Sequence, residues 1–260
     1  MKYYLLLYGI GRDLDNVKST VDFFKSLEPN INVIYHYLKV ESISNSRTKE
    51  KGHIYYEGID QITNQTQEVR IDDFKKKPLY NYSKEFIDGH NDNYKSNDNL
   101  LNQLLILYSF SEKLTTLSDE DTIVAFRDDI KLDKLSALIL KHSWKKIINS
   151  NNVFVSAYSW HGGINDKFFI SKNNNAKILI TRINHVKDSI NHFQHLNAEE
   201  LILYLVNKMN LTITPLFCRV GRVRINGLVK WDPFFPSITR IKDIFRVLKK
   251  LGETSFYFYK

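Results

Sequence analysis

Residues 2–10 are almost all apolar or aromatic, which predicts a first strand buried on both faces. Gly9-Ile10-Gly11 breaks that pattern, and Asp13 is placed to cap a following helix whose Val17, Val21 and Phe24 fall on one side. Pro29-Asn30 ends the helix, and a second strand, rich in Val, Ile and Tyr, is expected from Asn32 to Val40. A strand, a helix and a strand in this order form the opening with which many nucleotide-binding domains begin.

The pattern then weakens. Ser42 to Gly52 is polar and charged, His53 to Tyr56 is a short strand candidate, and alternation marks Glu68 to Asp72 as another. Tyr80 to Asn97 reads as a polar, aromatic connection, long enough to be either a mobile segment over a site or a surface insertion. Ser96 or Asp98 is expected to cap a helix with the stripe Leu100, Leu101, Leu104, Leu105 and Tyr108. Asp121 to Phe126 is the clearest internal strand and runs straight into Arg127-Asp128-Asp129. A helix is expected from Asp133 to Ile148, then strands at Val153 to Tyr158 and Lys167 to Ser171. Further helices are expected near 175–186 and 198–209, the second with Asn197 and Glu200 in a capping-box relation. Leu211 to Val220 reads as one strand, and Ser237 as the cap of a last helix carrying Ile238, Ile241, Phe245 and Leu248.

Alternating strands and helices with no repeat, no low-complexity tract and no linker predict an α/β fold. Its central sheet should be mixed and mostly parallel, flanked by helices, in one domain over residues 1–260. The hydrophobic fraction of 43% and charged fraction of 25% agree with a globular chain. No apolar run is long enough to cross a bilayer, and the apolar start lacks a small-residue cleavage site. The expected compartment is therefore the cytoplasm, that of the host if the source is viral. A single Cys218 excludes an intramolecular disulfide and any multi-cysteine metal cluster.

A net charge of +8 changes the picture by pointing to anionic partners. It suits a diphosphate-bearing substrate steered into a cleft and peripheral contact with an anionic membrane. It also suits a surface that is basic only for solubility. The cations are scattered, Lys75-Lys76-Lys77 and Lys249-Lys250 being the densest runs, so no arm for nucleic acid is expected.

Asp128 and Asp129 directly follow an apolar strand, and ligands of open α/β sheets bind at that end of the strands. Two adjacent carboxylates are costly to bury without a compensating cation. A divalent cation, Mn²⁺ or Mg²⁺, shared with a diphosphate would provide one. The alternative is a turn that caps the next helix. In His161-Gly162-Gly163-Ile164-Asn165-Asp166 the paired glycines permit close backbone approach to a ligand, or simply a hairpin turn, and Asp166 is a candidate general base. Gly9-Ile10-Gly11-Arg12 lacks the third glycine of the dinucleotide fingerprint but still offers a tight turn with a cation at its tip. His192 and His195 are a metal-ligand pair or ordinary surface residues. Arg219, Arg222 and Arg224 form a basic stretch suited to pyrophosphate or to solvent.

Taken in order, the segments YYLLLYGIGRD, NLLNQLLILYSFSEKL, TIVAFRDDI, GGINDKFFIS, HLNAEELILYLVNKMNLTI and RVRINGLV resemble GT-A-like glycosyltransferases of viral glycan and bacterial surface-polysaccharide biosynthesis. The resemblance implies sugar transfer from a UDP- or GDP-sugar donor to a glycan or other hydroxyl acceptor, metal-assisted and inverting. The nucleotide would be held by residues up to about 130 and the acceptor by those beyond. It makes Asp129 the metal ligand with Asp128 assisting, and Asp166 the catalytic base. Tyr8, Gly9, Gly11, Arg12, Arg127 and Asp128 become the donor-binding residues. Arg127 is a departure, standing where many members have the first Asp of a DxD motif. Two other readings remain open: a metal-dependent nucleic-acid enzyme, motivated by the charge and the Asp pair, and a non-catalytic adaptor that retains a transferase fold.

Overall fold

The computed structural model describes residues 1–45, 50–70, 94–159 and 163–233. The expected residues Ile71 and Asp72, most of the Tyr80–Asn97 connection, His161, Gly162, the helix after Ser237 and both lysine runs lie outside them.

The chain opens with β1 (Tyr3–Gly9), α1 (Leu14–Leu27) and β2 (Asn32–Leu38). Asp13 caps α1 by accepting the Asn16 N–H at 3.0 Å, and Val17, Val21 and Phe24 are buried, as expected. There follow β3 (Ser42–Asn45), β4 (Glu50–His53), a 3-10 turn at Ile59–Gln61 and β5 (Thr66–Val69). Next come α2 (Lys95–Tyr108), α3 (Ser111–Thr115), β6 (Thr122–Arg127), β7 (Ile130–Leu132), α4 (Lys134–Ile148), β8 (Val153–Ser156) and β9 (Phe168–Lys172). The remainder is α5 (Asn173–Ile180), a 3-10 turn at Arg182–His185, α6 (Val186–Phe193), α7 (Ala198–Lys208), β10 (Ile213–Leu216), β11 (Val220–Val223) and β12 (Val229–Trp231).

Seven strands form the central sheet in the order β10-β8-β9-β6-β1-β2-β5. β1 pairs in parallel with both β2 and β6, β2 with β5, and β8 with β10, while β9 runs antiparallel between β6 and β8. The mixed, mostly parallel sheet flanked by helices is thus the expected α/β fold. Leu6, Tyr8, Ile123 and Ala125 face a core closed by α2, α5 and α7, whereas Leu5, Leu7, Val124 and Phe126 face one closed by α1 and α4. Alternation along a doubly covered strand explains why β1 and β6 read as unbroken apolar runs. Each fully buried Leu contributes about 1.5–3 kcal/mol. A satellite core joins α2, α6 and α7 through Leu104, Ile183, Val186 and Leu201.

Several boundaries differ from the sequence reading. His53–Tyr56 is not a strand. β4 ends at His53 and pairs with β3, within the stretch that reads only as polar and charged, and Tyr56 instead packs its ring on Gly11. Neither Ser96 nor Asp98 caps α2. Tyr94 occupies that position in the left-handed region and makes no side-chain capping hydrogen bond. The helix near 175–186 stops at Ile180. Thr181 turns its hydroxyl back onto the Lys177 carbonyl at 2.7 Å, a bond that competes with helix continuation, and α6 starts separately. Leu211–Val220 is two strands. The chain leaves the sheet edge at Cys218, whose carbonyl accepts from the Ser156 hydroxyl, while the Arg219 N–H donates to Ser136. β11 then joins β7 and β12 in a second, three-stranded sheet. Pro215 sits in the edge strand β10, where a missing N–H is tolerated.

Candidate functional site

β2 and β6 lie on opposite sides of β1, so successive connections diverge at the ends of β1 and β6. Open α/β sheets bind ligands in the crevice such a divergence opens. Tyr8, Gly9, Gly11 and Arg12 end β1, and Arg127, Asp128 and Asp129 end β6, with Tyr8 level with Arg127 in the register. The fold brings Asp166 to the same edge, because β9 runs antiparallel and starts where β6 stops.

Asp128 braces the turns. It is 3% exposed, and its Oδ2 accepts the Gly11 N–H at 2.7 Å and the Tyr35 hydroxyl at 2.9 Å. Its own N–H donates to the Tyr8 carbonyl, and Asn16 donates to its carbonyl at 3.0 Å. Burial, then the neighbouring Asp129, push its carboxyl up to about 7 against the two hydrogen bonds it accepts. Gly11 is at φ 67° with its α-carbon against the Tyr56 ring, a position that needs glycine.

Asp129 is 5% exposed and held by cations. Arg127 grips it with both arms of its fork, Nε to Oδ1 and Nη2 to Oδ2, each at 2.9 Å. Arg222 Nε approaches Oδ2 at 3.5 Å. Burial acts to raise its carboxyl, but Arg127, then Arg222 and Arg12, hold it well below the usual range. A third arm of Arg127 lies 3.5 Å from Asp166, which also accepts from Gln103 at 3.1 Å and, through its backbone carbonyl, from Tyr8 at 3.3 Å. Burial is again overcome, by Arg127 and Arg182, and Asp166 stays ionised.

Glu199 opens α7 behind the capping residue Asn197, which accepts the N–H groups of Glu199 and Glu200. Gly163 lies against this turn so closely that a Cβ there would fall 2.1 Å from the Glu199 carbonyl, and the Ile164 N–H donates to that carbonyl at 2.9 Å. The loop bearing Asp166 is thereby fastened beside Glu199. Burial, then the charge of Asp166, push the Glu199 carboxyl up to about 8, while Asp166 is held below the usual range, so the two are shifted in opposite directions.

Glu50 forms the far wall. It accepts Arg12 Nη1 on both oxygens, Arg224 Nη1 and the Ile225 N–H, all at 3.0 Å, and so holds Arg12 and Arg224 side by side. Arg182, 1% exposed, lies behind Tyr8 and Asp166. It donates to the Leu179 carbonyl, while its Nε and Nη2 have no partner among the described residues. Sequence reasoning missed Glu50, Tyr35, Gln103 and Arg182. Only Arg182 carries a signal in the sequence, as a lone cation within the apolar stretch Ile178–Ile183.

The expected divalent cation does not fit these residues as they are arranged. Both oxygens of Asp129 are taken by Arg127, and Asp128 is turned to Gly11 and Tyr35. Among the described residues no three His, Cys, Asp or Glu side chains are grouped to hold a metal. His192 and His195 are separated in role: His195 faces Glu200 at 2.8 Å, and His192 lies edge-on to Phe193. Arg219 turns away to Asp133 and the Trp231 ring, leaving Arg222 and Arg224 at the site. No helix among the described residues is long and apolar enough to cross a membrane.

No family model matches the chain, and no curated protein matches it in sequence. Among solved structures it is similar to the galactosyltransferase LgtC in complex with donor and acceptor sugar analogs, at 9% identity over 76% of this chain and 69% of that one, with a TM-score of 0.39. It is also similar to a putative nucleotide-diphospho-sugar transferase from Desulfovibrio desulfuricans G20, at 7% identity over 83% of this chain and 80% of that one, with a TM-score of 0.39. Similarities this shallow assign no activity.

Proposed function

We propose that the chain is a GT-A-like glycosyltransferase that moves a sugar from a UDP- or GDP-sugar to a hydroxyl of a glycan or similar acceptor, with inversion. The observation that carries this reading is a single one. Arg12, Arg127, Arg222 and Arg224 converge on the ends of β1 and β6, next to two carboxyls, Asp166 and Glu199, that are shifted in opposite directions. Cations aimed at one place suit a leaving diphosphate, and a split carboxyl pair suits proton transfer from an alcohol.

In this reading the turn Tyr8–Arg12 holds the nucleotide, with Asp128 keeping the turn in shape. The acceptor oxygen attacks the anomeric carbon, and the bond from that carbon to the terminal phosphate oxygen breaks. The guanidinium groups stabilise the charge that develops on the departing diphosphate. The hydroxyl proton passes to Asp166, the ionised member of the pair, and Glu199 keeps its proton beside it.

Incubation of the chain with UDP- and GDP-sugars, following release of the nucleoside diphosphate and any rise in melting temperature, tests this directly. A ligand that binds only the native state must raise its stability. Absence of both release and stabilisation across the nucleotide-sugars, with and without added Mn²⁺, would refute it. Stabilisation by oligonucleotides in their place would favour the nucleic-acid reading.

A further inference from the structure

We propose that the diphosphate is held here by guanidinium groups in place of a divalent cation, with Arg222 as its principal ligand and Arg12, Arg127 and Arg224 around it. The proposal rests on the transferase reading only in taking the ligand to be a diphosphate.

Any other arrangement is costly. For Asp129 to bind a cation it must release Arg127, whose fork occupies both of its oxygens at 2.9 Å. That would leave a nearly buried guanidinium with only the longer Asp166 contact, next to a newly arrived double positive charge. Asp128 offers no replacement, because freeing its Oδ2 would strand the Gly11 N–H and the Tyr35 hydroxyl in the interior.

Cations are in surplus at the site. Arg12, Arg127, Arg182, Arg222 and Arg224 face Glu50, Asp129 and Asp166, so five guanidinium groups stand against three carboxylates. Arg12 and Arg224 share a single carboxylate. Charges of one sign brought this close persist only where a counter-charge offsets them, and a diphosphate has the required charge.

Arg222 differs from the others. Its side chain is 34% exposed, against 12% for Arg127, and it reaches Asp129 only at 3.5 Å, leaving the rest of its fork free of protein hydrogen bonds among the described residues. Repulsion from Arg127 lowers its basicity, a penalty an anion would relieve. Arg12 has an Nε–H that is buried with no partner among the described residues, a further donor without a protein acceptor. A planar fork matches phosphate oxygens two at a time, which an ammonium or a single cation-bound water cannot do.

Titration calorimetry with UDP and GDP on the full chain, in EDTA and in millimolar Mg²⁺ or Mn²⁺, tests the proposal, alongside Arg222→Ala and Arg222→Lys. The expected result is binding in EDTA that metal leaves within about twofold, a shift well under 1 kcal/mol. Arg222→Ala should weaken it roughly 10- to 100-fold, the loss of charge-assisted hydrogen bonds, with Arg222→Lys intermediate. An unchanged circular dichroism spectrum and melting temperature for the variants would separate binding from folding. Binding that vanishes in EDTA overturns the proposal and leaves the transferase reading standing. Binding that survives both EDTA and Arg222→Ala also overturns it, since the anion is then held elsewhere. Failure of both nucleotides to bind under any condition overturns the transferase reading together with it.

Discussion

The carboxylate of Asp128 lies directly against the α-carbon of Gly9, so that a Cβ on Gly9 would fall 1.8 Å from Oδ1. Two strands far apart in sequence are thereby locked at their ends, and the turn that begins the candidate donor site takes its shape from a residue at the end of another strand. Gly9 is required for this close approach, and Asp128 serves as a brace for Gly11 and Tyr35.

Gly9→Ala is therefore expected to destabilise the fold by about 1–3 kcal/mol, as overpacking against a fixed neighbour does. Asp128→Gly alone should also destabilise it, because the Gly11 N–H and the Tyr35 hydroxyl lose their buried acceptor. Urea denaturation of the two variants checks this, and a Gly9→Ala protein as stable as the parent would contradict the close contact.

Arg127→Ala leaves Asp129 buried with only the longer Arg222 contact. The expected cost is about 3–5 kcal/mol, the price of an uncompensated buried charge. The double variant Arg127→Met, Asp129→Leu should regain much of it, because both desolvated charges are gone. A double-mutant cycle in urea measures the coupling. Additive losses would show that the pair is not the reason for the cost.

The proposed carboxyl pair makes a kinetic prediction. Asp166→Asn should lower turnover by about 10²- to 10⁴-fold with donor affinity nearly unchanged, since the amide keeps the shape but cannot take a proton. Glu199, with its carboxyl raised to about 8, should impose an alkaline limb on the pH–rate profile. Glu199→Gln, which mimics the protonated form, should remove that limb. A profile identical in parent and Glu199→Gln would exclude Glu199 from the proton transfer.

Stability should fall as pH rises through the range where Glu199 and Asp128 resist ionisation. Their folded values, about 8 and about 7, lie above the ordinary 4.5 and 3.8, so the stabilising difference is complete at low pH and lost as pH climbs through the folded values. Buried His36 acts in the opposite sense. Lowered to about 4 by burial, it contributes stability above its ordinary 6.5 that is lost as pH falls toward 4. The carboxyl effect is therefore read above pH 6.5, where Glu199→Gln should flatten the decline in chemical-denaturation stability up to pH 8. An equal slope in both proteins would contradict it.

Local pattern alone determined most of the fold. β1, α1, β2, β6 and α4 stand within a residue or two of their expected bounds, because buried strands and amphipathic helices declare themselves through side-chain period, and Asp13, Asp133 and Asn197 cap helices by bonds to residues two or three positions on. It also determined where the candidate chemistry lies, since residues that directly follow parallel strands share one edge. β3 and β4 stayed hidden, their polar residues carrying no period, and the division of 211–220 depended on Ser136 and Ser156 in distant elements. Only tertiary structure decided what each carboxylate is for. Asp128 and Asp129 are chemically alike and adjacent, yet one faces an N–H and a hydroxyl while the other faces two guanidinium groups, and under the same burial the first is pushed up to about 7 and the second held well below the usual range. That division depends on Arg222, Tyr35 and Gly11, partners brought within bonding distance only by folding, and Coulomb and desolvation energies depend on distance in space and not on separation along the chain.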